Sequence, residues 1–161
     1  MSDKLALQLQ LAAQSPESLQ FRLSLRNTSR AKILIPRPAI NCIRFGNMSN
    51  GKEAPWKMQW LVSAPWTGFY LESGECKEIG YRVRPLSAAA PADDRDSEYT
   101  RCCVDLPPAE YLVWMKFEVT EDYVCRDSNY RYPDLVWEAL DSQAKVWTGV
   151  TLSNRFNFSR P

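Results

Sequence analysis

The sequence predicts an all-β protein, folded as an antiparallel β-sandwich of six or seven short strands. Apolar and polar residues alternate with a period of two along most of its Leu-, Val- and Phe-rich runs, which puts one face of each run inside. Turn-forming clusters such as Ser15-Pro16-Glu17-Ser18 separate the runs. A helix would scatter the same leucines around its circumference. With 161 residues, the chain is sized for a single domain, 1–161, with its own core.

The expected elements follow in order. Over 4–12, Leu5, Leu7, Leu9 and Leu11 share a face, with Gln8 and Gln10 on the other. Over 18–27, Leu19, Phe21, Leu23 and Leu25 point inward, and Gln20, Arg22, Ser24 and Arg26 outward. Within 31–45, Pro36 and Pro38 cannot donate ladder hydrogen bonds, so a broken or edge-exposed strand is expected. A short strand is predicted over 57–62. Over 75–84, Ile79, Tyr81 and Val83 share a face, which leaves Arg82 and Arg84 outside. Over 109–119, Tyr111, Val113, Met115 and Phe117 point one way and Trp114 the other. The last strand, 147–158, carries Val150, Leu152, Phe156 and Phe158 in one phase.

Three connections are long: 46–56 with 63–74, then 85–108, then 120–146. Residues 86–108 have the Ala/Pro/Asp/Ser composition of a flexible loop. Residues 120–146 form an aromatic-rich insertion before the last strand, with a short helix expected from Pro133, a residue suited to a first helical turn.

The segment LPPAEYLVW (106–114) resembles the tyrosine corner of immunoglobulin-like folds. The resemblance implies that Tyr111 bonds back to the preceding turn. It also implies that Val113 and a residue near Leu23 pack where antibody domains place their intersheet disulfide. It is a likeness of fold and implies no activity.

Function is bounded first by what is missing. The chain has no histidine, which removes the commonest general base and metal ligand and excludes Ser-His-Asp and Cys-His nucleophile activation. Only six glycines occur and no phosphate-binding glycine loop, so no cofactor site is expected. The five cysteines, Cys42, Cys76, Cys102, Cys103 and Cys125, form no CxxC pair and read as free thiols without a metal. A net charge of +1 gives no global attraction to nucleic acid or to a membrane. No apolar run is long enough to span a bilayer, and the first residues lack the pattern of a signal peptide. A non-enzymatic, cytoplasmic protein is expected.

The expected function is binding of another protein. In an up-and-down reading, the 63–73 and 120–146 loops meet at one pole with the turn after 27. The candidate contact residues there are Trp66, Phe69, Tyr70, Tyr130, Tyr132 and Trp137, since polar-tipped aromatics bring large contact area at low entropic cost. Part of that set is equally suited to pinning the loops down. The alternative is a carbohydrate-binding module that stacks sugars on the same rings and fixes hydroxyls with Asp127, Asn129 and Asp134. This architecture is similar to that of small intracellular proteinase inhibitors of bacteria, though no inhibitory motif accompanies it. A possible basic face comprises Arg22, Arg26, Arg82 and Arg84, set against an insertion whose six acidic and three basic residues leave a net of −3. A monomer or an edge-paired homodimer is expected.

Overall fold

A computed structural model describes residues 5–59, 68–91, 97–120 and 145–161. The first sheet is built on the two predicted N-terminal strands, β1 (Leu5–Gln14) and β2 (Leu19–Asn27), which pair antiparallel around the Ser15–Ser18 turn. Their leucines alternate as expected, with Leu5, Leu7, Leu9, Leu19, Leu23 and Leu25 all buried.

The predicted 31–45 strand is broken at its prolines. It divides into β3 (Ile33–Pro36), a 3-10 turn over Ile40–Cys42, and β4 (Ile43–Asn47). In chain order there follow β5 (Trp56–Met58), β6 (Gly68–Leu71), β7 (Cys76–Pro85), the helix α1 (Ser97–Arg101), β8 (Cys102–Val104), β9 (Ala109–Val119), β10 (Lys145–Val146), β11 (Gly149–Leu152) and β12 (Phe156–Arg160).

The strands form a five-stranded sheet in the order β1-β2-β7-β8-β5, a three-stranded sheet β10-β3-β6, and a group in which β9 pairs with β4 on one edge and with β11 and β12 on the other. All-β architecture is therefore as predicted. Phe21 of the first sheet meets Phe45 and Phe156 across the core, with ring centroids 5.8 and 6.4 Å apart. Tyr111 and Phe158 stack behind them. The Tyr111 hydroxyl donates to the Pro107 carbonyl at 2.5 Å, the bond expected of that tyrosine. Leu23 and Val113 both lie fully inside the same core.

Four expectations need correction. The 57–62 strand is reduced to β5, which pairs with β8 at the edge of the first sheet; residues 60–62 lie outside the described residues. The connection 86–108 is not loop throughout, because it contains α1 and β8. Val150 and Leu152 are not in phase with Phe158. They are 44% and 50% exposed, because the register against β9 slips by one residue between β11 and β12 and so reverses the faces. Finally, Arg84 is only 9% exposed, as described below. The helix expected from Pro133 lies outside the described residues.

At the slip, side chains replace backbone. Ser153 Oγ accepts the Met115 N–H at 2.8 Å. The Asn154 amide pairs with Leu9 on the free edge of β1, accepting from its N–H at 2.7 Å and donating to its carbonyl at 3.0 Å. Thr151 donates to the Leu5 carbonyl. Part of the β1 edge is thus capped.

Candidate functional site

The end of the molecule where β2, β6 and β9 finish is organised by Asn27. A polar residue closing an apolar strand is expected to turn the chain, and Asn followed by Thr28-Ser29 has the short side chains that do so. Asn27 is 0% exposed, and its side chain is fully employed. Its amide nitrogen donates to the carbonyls of Ala31 and Leu71 at 2.8 and 3.0 Å. Its oxygen accepts from the Ser29 N–H and hydroxyl at 2.9 and 2.6 Å. Backbone bonds to Gly74 and Glu75, and one from the Ser73 hydroxyl to the Ser29 carbonyl, tie this turn to the one between β6 and β7. Gly74 has φ +78°, the left-handed conformation such a turn requires.

Beside this turn lies the β10-β3-β6 sheet. β3 is buried along its whole length, β6 is antiparallel to it, and β10 is parallel on its other edge. The 120–146 insertion therefore returns to the fold next to β3, and the 63–73 segment enters it on the opposite side of the same strand. The two segments border one sheet two strands apart, roughly 10 Å. The described ends of the two segments therefore share a neighbourhood.

Phe69 and Tyr70 are half-buried on β6, pairing across from Ile35 and Leu34. Each ring carries an ammonium group over its face, Lys77 Nζ at 4.9 Å from the Phe69 centroid and Lys32 Nζ at 4.8 Å from that of Tyr70. Lys32 also pairs with Glu72 at 3.5 Å. Sequence reasoning missed both lysines, since neither is near its ring along the chain. The Tyr70 hydroxyl and the Trp147 indole N–H are buried and have no hydrogen-bond partner among the described residues. Trp147 stacks on Phe117 with centroids 5.3 Å apart. Trp66, Tyr130, Tyr132 and Trp137 lie outside the described residues, as do Asp127, Asn129 and Asp134.

The possible basic face divides in two. Arg22, Arg26 and Arg82 are exposed on the outer face of β2 and β7. Arg84 falls on the same side by alternation but is covered by α1 and the turn at Ala88. Its guanidinium donates to the carbonyls of Tyr99, Ala88 and Thr100 at 2.9, 2.9 and 3.2 Å. It serves the fold and is no part of an open surface.

Around α1, Glu98 pairs with Arg37 at 2.9 Å, and Arg37 lies over the Tyr81 ring. The thiols nearby are poor nucleophiles. Burial raises Cys42 above the usual thiol range, and burial followed by the charges of Glu98 and Cys103 pushes Cys102 up to about 11. Cys42, Cys76, Cys102 and Cys103 form no disulfides. No three His, Cys, Asp or Glu side chains are grouped to hold a metal ion among the described residues, and none of their helices is long and apolar enough to cross a membrane. Compared with protein-family models, curated proteins and solved structures, the chain matches none.

Proposed function

We propose that this protein is a non-enzymatic interaction module, with an immunoglobulin-like sandwich as scaffold, and that it binds a protein partner through the surface formed by the 63–73 and 120–146 segments. One observation carries the reading: β6 and β10, the described ends of those two segments, flank the same buried strand β3. The Asn27 network beneath them supports it, because binding loops work best on a rigid base. The raised thiol of Cys102 and the lack of histidine support a role without catalysis. Four free thiols favour a reducing compartment.

The test is affinity capture with the wild type and a W66A/Y130A/W137A variant, followed by titration of the captured protein against both purified forms. Melting curves must first show that the variant folds. A loss of affinity of about tenfold or more in the folded variant supports the reading. Equal affinity moves the working surface elsewhere. Sugar binding by the wild type on a glycan array, with no protein captured, replaces this reading with the carbohydrate one.

A further inference from the structure

The outer face of β1, β2 and β7 has a composition that folding alone does not demand. Its cross-strand rows are Gln10–Arg22–Gly80, Gln8–Ser24–Glu78 and Ala6–Arg26–Cys76, with Gln20 opposite Arg82 below them. No aromatic or large aliphatic side chain stands in these rows. Arg22, Arg26 and Arg82 are exposed and form no ion pair among the described residues. Arg82 is held in place by stacking on Tyr99 of α1, 3.9 Å from guanidinium to ring centroid, which leaves its N–H edges open.

Between the cations lies a shallow groove of about 460 Å³, bordered by Ala12, Gln20, Arg22, Glu78 and Arg82. Its floor is Gly80. A Cβ built there would meet nothing within 4 Å, so neither packing nor backbone conformation calls for the glycine. A glycine inside a strand is unfavourable on its own account, and often marks a place where another backbone approaches closely.

We infer that this face binds an extended acidic polypeptide segment, laid along the strands with its backbone over Gly80. The spacing of the charges gives the pattern. Arg22 and Arg82 are diagonal neighbours, about 8 Å apart, and Arg26 lies roughly 14 Å beyond Arg22 along β2. Side chains two apart on one side of an extended peptide are separated by about 7 Å, so carboxylates at positions i, i+2 and i+6 meet the three arginines in turn. Glu78 is paired with Ser24, midway between Arg22 and Arg26, and so faces position i+4. That position takes a lysine or arginine.

Glu78 also decides between polymers. A nucleic-acid backbone presents only acceptors there and is repelled, and the strand rows offer no ring for a base to stack on. A peptide brings both donors and acceptors, matching the amides of Gln8, Gln10 and Gln20.

The test is fluorescence anisotropy at low salt with the labelled peptide SESESKSES, the permuted peptide SKSESESES, which mismatches the pattern in either direction, and a single-stranded oligonucleotide of nine bases. The first peptide is expected to bind, and to weaken as salt is added. Arg22→Ala and Arg82→Ala are each expected to weaken it about fivefold. Gly80→Val fills the groove while leaving every arginine, and is expected to weaken binding at least as much without lowering the melting temperature. The inference is overturned by any of four results: no binding, equal binding of the permuted peptide, tighter binding of the oligonucleotide, or unchanged binding in Gly80→Val.

Discussion

The two ends of the molecule are each held by one buried polar side chain, and the two do so in different ways. At one end Asn27, a neutral amide, joins two tight turns and has both its donors and its acceptor satisfied. At the other, Arg84 spends a full charge on three backbone carbonyls of a long connection, with no carboxylate paired to it among the described residues. Asn27 is 0% exposed, and a charge in its place would be costly. The guanidinium of Arg84, 9% exposed, has five fixed donors that span a wider gap. Tight turns and a long irregular connection thus call for different chemistry.

Breaking the two hubs measures that difference. Asn27→Ala removes four hydrogen bonds, among them the buried one to the Leu71 carbonyl, and is expected to cost about 3 kcal/mol. For a chain of this size that is roughly 6–12 °C in melting temperature, read by calorimetry. Arg84→Met removes three hydrogen bonds and keeps an apolar stem in place, and is expected to cost less, about 2 kcal/mol. Arg84→Lys is expected to recover little of this, because an ammonium cannot span three acceptors. If Arg84→Met costs more than Asn27→Ala in urea melts, the ranking of the two ends is reversed.

Tyr111→Phe, which removes the bond to Pro107 near the Arg84 end, is expected to cost about 1 kcal/mol by the same assay. The smallest effect near neutrality is on pH. Cys102, beside the Arg84 hub, has its folded pKa pushed up to about 11 from the usual 9.0. Between those values the unfolded chain loses a proton that the folded chain keeps. Stability is therefore constant below the lower value and falls as pH rises through the window. Urea midpoints at about pH 8 and about pH 10.5 should differ, and Cys102→Ala should shrink the difference. Hydrogen exchange should show the alkaline loosening in β8 and α1 and not around Asn27.

Much of this was legible from alternation alone. The inward faces of β1, β2 and β9 follow directly from their leucines, Tyr111, Val113 and Phe117. Arg84 shows the limit: alternation tells which way a side chain points, and a helix of five residues from a loop-like stretch decided whether water reaches it. β8 is three residues long, too short for any period to register. The slip between β11 and β12 turned Val150 and Leu152 outward without a glycine or proline to announce it. As for the site, the composition of 63–73 and 120–146 drew notice at once, but their common neighbour β3 emerged only from the pairing. Gly80 was readable in principle as a glycine inside an alternating run; its open surroundings were not.

The amide clasp between Asn154 and Leu9 joins residues 145 apart in the chain. On a ribosome adding about 5–20 residues per second, Leu9 waits roughly 7–30 s before its partner has been made. Through that interval the outer edge of β1 offers a bare N–H and C=O to any passing strand. The alternating Gln8 and Gln10 soften that exposure, but closure of this edge is set by the pace of translation, and the newborn chain is most open to mispairing just before residue 154 emerges.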